Sequence, residues 1–157
     1  MSEKDQTVTA VTNALDANAG REGALLPILH HIQDAIGYVP DGGIEQIGKS
    51  LGLSRAEVHG VISFYHHFRT SPPGKKVIQV CRSEACKSMG GDAVAEALKT
   101  KLGIDFHQTS SDGEYSLEAV YCLGHCACAP AVMVNDVPLA RVSASRIDEV
   151  IAMGETG

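Results

Sequence analysis

The sequence predicts an α/β protein in two parts: a helical region over residues 1–71 and an α/β domain over residues 72–157. Three observations lead there. A cluster of chain punctuators, Ser71-Pro72-Pro73-Gly74, interrupts the patterning. Before it, apolar residues recur at helical spacing. After it, short β-like runs alternate with helical segments.

In the first part, Leu25, Leu26, Ile28, Leu29, Ile32 and Ile36 lie at 3.6-like spacing. Pro27 is tolerable there because the N–H it lacks would be unpaired in a first turn. Gly37 and Pro40 end that helix. Ile44, Ile47 and Leu51 mark a shorter helix closed by Gly52. Ser54 is placed to cap the next one, and Glu57 completes a capping box in which each side chain takes the other's free backbone N–H. Val58, Val61, Ile62 and Tyr65 would share one side of it.

In the second part, Val77, Ile78 and Val80 form a β-like run ending at Cys81. Residues 92–102 follow as a helix stopped by Gly103. Residues 115–121 read as a strand that delivers Cys122. Residues 131–134 and 137–140 pair as a hairpin around Asn135-Asp136. Ser143 or Ser145 would cap a final helix through Ile147, Val150 and Ile151. The order is strand, helix, strand, hairpin, helix: one α/β layer.

Composition narrows the function. The chain of 157 residues is 44% hydrophobic and 20% charged, ordinary for a globular protein. No apolar run nears the roughly 18 residues that cross a bilayer, so direct membrane insertion is not expected. The first residues lack the basic start and apolar block of a secretory signal, so a cytoplasmic protein is expected. A formal charge of −6 argues against phosphate-backbone binding, and no nucleic-acid partner is expected. Five cysteines without an export signal point to metal or redox chemistry rather than a disulfide framework.

Four of those cysteines form two pairs. Four residues separate Cys81 from Cys86, and three separate Cys122 from Cys126. Both pairs are expected where a strand gives way to a loop, so neighbouring strand ends could bring them together. Each pair would serve one side of a bimetallic centre, and four thiolates are the usual ligand set of a 2Fe–2S cluster. Soft thiolates suit iron and sulfide better than Asp or Glu would. Such a cluster carries a formal charge of −2, or −3 after one-electron reduction, and backbone amides can offset it. Gly124 is expected to let the backbone approach closely, and a helix after Cys86 could aim its N-terminus at the site. Four thiols do not name their metal, and spacing leaves structural zinc open. The plant-type ferredoxin spacing fails at Met89, and no C-x-x-C redox motif is present.

The stretch CRSEACKSMGG followed by CLGHCACAP resembles the thioredoxin-like 2Fe–2S subunit of NADH dehydrogenases, NAD-reducing hydrogenases and soluble NAD-dependent formate dehydrogenases. The likeness spans roughly residues 20–152 and includes LLPILHHIQDAIGYVP and GVISFYHHF. It implies an N-terminal helical bundle joined to a thioredoxin-like domain, with Cys81, Cys86, Cys122 and Cys126 as the cluster ligands. Within the family, EACKSMGG looks most like the gamma subunit of the molybdenum-containing formate dehydrogenases. That likeness implies partners: an FMN- and NAD-binding subunit, and a large catalytic subunit with further Fe–S clusters and a molybdenum cofactor. His125 and Cys128 stand where the family varies. Cys128 reads as a small apolar residue beside Pro130, and His125 as a residue outside the ligand set.

An electron-transfer subunit without catalysis of its own is therefore expected, with formate dehydrogenase favoured and the NADH dehydrogenase or hydrogenase equivalent as the alternative. NAD exchanges two electrons as hydride and the cluster one, so a flavin must mediate. No G-x-G-x-x-G fingerprint occurs here, which moves the nucleotide chemistry to a partner. A third reading takes IEQIGKSLGLSRAEVHGVI, residues 44–62, as a helix-turn-helix and the chain as a redox-sensing regulator. Arg55 is the lone fixed positive charge on its second helix, few for a major-groove reader. His30, His31, His66 and His67 read as helix-surface and boundary residues, since sequence neighbours on a helix face different directions.

Overall fold

A computed structural model describes residues 3–153. Its contacts divide the chain between Pro72 and Pro73 into two compact units, each with its own core.

The first unit holds four helices: α1 (Glu3–Ala17), α2 (Leu25–Ile36), α3 (Asp41–Leu51) and α4 (Arg55–Phe64). Ile28, Leu29 and Ile32 of α2 are fully buried against Val11 and Ala14 of α1, Ile44 and Ile47 of α3, and Val58 and Ile62 of α4. Gly37 ends α2 in the left-handed conformation, φ 87°, and its N–H donates to the Gln33 carbonyl. The Ser54–Glu57 capping box is present: the Glu57 N–H donates to Ser54 Oγ at 3.2 Å, and the Ser54 N–H to Glu57 Oε2 at 2.8 Å. Tyr65 lies one residue beyond the end of α4. Helix α1 carries no strong sequence signal, because its buried residues are small: Ala10, Val11 and Ala14.

The buried Gln33 amide ties down the segment after α4. Its Nε2 donates to the His67 carbonyl and its Oε1 accepts the Arg69 N–H, both at 2.8 Å. The Arg69 carbonyl in turn accepts the Val39 N–H at 2.8 Å. Arg55 Nη2 grips both carboxylate oxygens of Asp41, at 2.7 and 2.8 Å. The fixed cation of the would-be recognition helix is thus spent within the unit.

The second unit is a five-stranded mixed sheet in the order β2-β3-β1-β4-β5. The strands are β1 (Lys76–Cys81), β2 (Gln108–Thr109), β3 (Tyr115–Val120), β4 (Val132–Val134) and β5 (Val137–Leu139). β1 and β3 run parallel, with Cys81 opposite Val120; the other pairings are antiparallel. Between β1 and β3 lie the short α5 (Glu84–Ser88) and the longer α6 (Gly91–Leu102). Ile78, Val80, Leu117, Val132 and Val134 of the sheet bury against Val94, Ala95 and Leu98 of α6 and Ile147 and Val150 of α7 (Ile147–Ala152).

Asn135 and Asp136 both take positive φ, 44° and 68°, as a tight primed turn between β4 and β5 requires. α7 is preceded by a 3-10 turn over Ala144–Arg146, and the Ser143 hydroxyl bonds Ser145 Oγ instead of capping a backbone N–H. The strand ahead of Cys122 stops at Val120, one residue short of expectation. α5 and β2 were not expected; each is too short to show a period.

Candidate metal centre

Cys81 is the last residue of the central strand β1, and Cys86 lies within α5, not in a loop as expected. Both are almost fully buried, packed with Ala129 and Ala131. Cys122 and Cys126 occupy the exposed loop after β3, and Cys126 opens a 3-10 turn. The structure thus presents one buried and one exposed pair. Parallel pairing of β1 with β3 explains why they are neighbours: Cys81 and Val120 end the two strands at the same level.

Cys122 and Cys126 have their sulfurs 3.6 Å apart. That is close to the ~3.8 Å expected of two thiolates about 2.3 Å from one tetrahedral metal. Cys81 and Cys86 each affect the other's protonation, and the charge of Cys126 acts on Cys86 as that of Cys81 acts on Cys126. Among the described residues, no three His, Cys, Asp or Glu side chains converge on a single ion position. What the fold assembles is two thiol pairs at the ends of two neighbouring strands.

Backbone donors surround the sulfurs. The Gly124 N–H donates to Cys122 Sγ at 3.3 Å, the Leu123 N–H faces Cys81 and the Ala131 N–H faces Cys86. Burial works against the Cys81 thiolate, yet donors from Ser83, Cys86 and Leu123 outweigh it and hold the thiol below its ordinary range. Burial, with the Cys81 charge beside it, pushes the Cys86 thiol up. The hydrogen bond and charge of Cys122 push Cys126 up. Thiols at this spacing therefore resist becoming thiolates together, and iron would relieve the repulsion. Four thiols in two pairs, ringed by N–H donors, fit an electron-rich thiolate-bound cluster.

Local backbone shapes this loop. Cys122 itself has φ 126° and Gly124 φ 77°. A Cβ on Gly124 would meet nothing within 4 Å, so its left-handed backbone, rather than close approach, calls for glycine. The His125 ring turns back to the Leu123 carbonyl, 2.9 Å from Nδ1. Cys128 is half-buried; its N–H donates to the His125 carbonyl and its carbonyl accepts from Arg141. It contributes backbone bonds to the turn.

Two contributors escaped sequence reasoning. Ser83 Oγ lies 3.1 Å from Cys81 Sγ. Gly91, the first residue of α6, sits against the backbone of Cys86. The Gly90-Gly91 pair was the one signal for the second; a lone serine two residues after Cys81 offered none for the first. His30, His31, His66 and His67 are all exposed; His30 and His67 nevertheless meet, with ring centroids 5.2 Å apart.

The family model for thioredoxin-like 2Fe-2S ferredoxins matches residues 11–155. The NADP-reducing hydrogenase subunit HndA of Solidesulfovibrio fructosivorans is 34% identical over 142 residues, covering 90% of this chain and 83% of that one. A subunit of the NADH-quinone oxidoreductase of Mycobacterium tuberculosis is 42% identical over 115 residues, 73% of this chain but 46% of the relative, so this chain spans about half of that protein. Among solved structures, an NAD+-reducing NiFe-hydrogenase in the H2-reduced state superposes with a TM-score of 0.68 at 26% identity, over 83% of this chain and 22% of that one.

Proposed function

This chain belongs to the thioredoxin-like 2Fe-2S ferredoxin family, and on that basis we propose that it is the small electron-transfer subunit of an NAD(P)-linked oxidoreductase complex. Cys81, Cys86, Cys122 and Cys126 would hold its one 2Fe–2S cluster, within residues 72–157. The observation that carries this reading is the near full-length likeness to a hydrogenase subunit, 90% of one chain on 83% of the other.

When bound, the cluster supplies a one-electron store, because only one electron separates its two common states. The residues of the chain do the rest. The buried Cys81/Cys86 pair anchors one side in the core, while the exposed Cys122/Cys126 pair leaves the other side open to a partner. Amide donors from Leu123, Gly124 and Ala131 offset the negative charge at the sulfurs. Hydride chemistry belongs to a neighbouring subunit that binds FMN and NAD, and a cytoplasmic location is part of the reading. Among the described residues no helix is long and apolar enough to cross a membrane.

The reported relatives are hydrogenase and NADH-quinone oxidoreductase subunits, and they favour those complexes over formate dehydrogenase. The narrower assignment to a molybdenum formate dehydrogenase rests on EACKSMGG alone. Affinity purification of the tagged chain from its own cells, with mass identification of what comes along, separates them. A large molybdenum-containing partner supports formate, a nickel-containing partner supports hydrogenase, and membrane subunits support NADH dehydrogenase. The isolated chain should show a reducible 2Fe–2S signal and no NADH or formate oxidation; NADH oxidation without added flavoprotein would refute the division of labour.

A further inference from the structure

We infer that the Ser83 hydroxyl is a positioning residue for the cluster, donating a hydrogen bond to the Cys81 sulfur and raising the reduction potential. The inference rests on the proposed ligand role of Cys81. Ser83 occupies the N-cap position of α5, with the extended backbone of a cap, φ −76° and ψ 163°. A serine there ordinarily bonds a free N–H of the first turn. This one makes no such bond. Its hydroxyl oxygen lies instead 3.1 Å from Cys81 Sγ.

Between a thiol and a hydroxyl either group can donate. Once the sulfur binds metal it has no proton, so the hydroxyl alone can be the donor. Cys81 is 2% exposed, so little water competes for its sulfur. A bond donated to a buried, charged acceptor is among the stronger ones. It strengthens as the cluster goes from −2 to −3, and it therefore favours the reduced state. The Ser83 N–H faces the same sulfur, and a side-chain substitution leaves that contact in place.

Purified full-length protein, reconstituted with iron and sulfide, is titrated electrochemically as wild type, Ser83→Ala and Ser83→Thr. The alanine variant is expected to bind the same iron and to lie about fivefold to tenfold further towards the oxidised form at a fixed potential, tenfold being about 59 mV for one electron. Ser83→Thr, which keeps the hydroxyl, is expected to restore the wild-type value. In wild type, exchange into deuterated water should shift an iron–thiolate stretching band further than in Ser83→Ala, where only the backbone N–H donors remain. An unchanged potential in a fully loaded Ser83→Ala overturns this inference and leaves the cluster assignment standing. So does a Ser83→Thr shift as large as that of alanine. If the alanine variant does not load, Ser83→Cys and Ser83→Gly replace it, and a deuterium shift in either as large as that of wild type decides against the inference. Failure of the wild-type chain to bind a 2Fe–2S cluster overturns the ligand assignment and this inference with it.

Discussion

The backbone of Gly91 lies so close to Cys86 that a Cβ added at Gly91 would stand 2.7 Å from the Cys86 carbonyl oxygen and 2.9 Å from its carbonyl carbon. The obstacle is backbone, so no side-chain rotation relieves it. Entry of the chain into α6 and the placement of a buried thiol are a single packing event. Gly91→Ala is expected to destabilise the protein by about 1–3 kcal/mol, the usual cost of overpacking, and to lower cluster occupancy. Thermal melting and visible absorption of the same samples check both. Gly60, in α4 with open space around it, is the control: Gly60→Ala should gain up to ~1 kcal/mol from helix propensity.

Alanine at Cys81, Cys86, Cys122 or Cys126 should each abolish stable binding of the cluster's roughly two irons per chain. Cys128→Ala should retain them, because Cys128 serves the turn through its backbone. Iron and sulfide analysis with the spectrum of the reduced protein decides. A Cys128→Ala chain without iron would place a fifth cysteine in the ligand set.

Gln33→Leu removes two hydrogen bonds at once and leaves the His67 carbonyl and the Arg69 N–H without the amide. The expected loss is about 2–4 kcal/mol, since a buried polar group left unpaired costs roughly 1–3 kcal/mol. Gln33→Glu should be destabilised too, and less so in acid, because a protonated carboxyl can replace the amide as donor to the His67 carbonyl. Denaturant melts at two pH values test this.

Arg55, through its hydrogen bond and then its charge, holds the Asp41 carboxyl below its ordinary value of 3.8. A depressed carboxylate contributes stability above the unfolded-state value and loses it as pH falls through the folded-state value. The stability gap between wild type and Asp41→Asn should be constant from neutral pH to about pH 5 and close below the ordinary carboxylate range. Both residues are exposed, so the gap should be small and shrink further at high salt.

The helices α2, α3 and α4 were legible because their apolar residues repeat over three turns and their ends carry Gly37, Gly52 and the Ser54–Glu57 box. α1 was missed because alanines and one valine make its buried face. β1 and β4 were legible as β-branched runs, and the hairpin by the Asn135-Asp136 turn signal between β4 and β5. α5 was not, since five residues make no period, and it holds Cys86.

By itself the sequence determined the fold class, the four candidate cysteines and the family, because apolar period, turn residues and the two cysteine pairs are local signals. Only the tertiary structure decided that Cys81 and Cys86 are buried while Cys122 and Cys126 are exposed, that Ser83 turns from its helix to a sulfur, and that Gly91 leaves no room beside Cys86. Those outcomes depend on which strand lies beside which. Parallel pairing of β1 and β3 joins residues some forty positions apart, and no local pattern encodes such a distance.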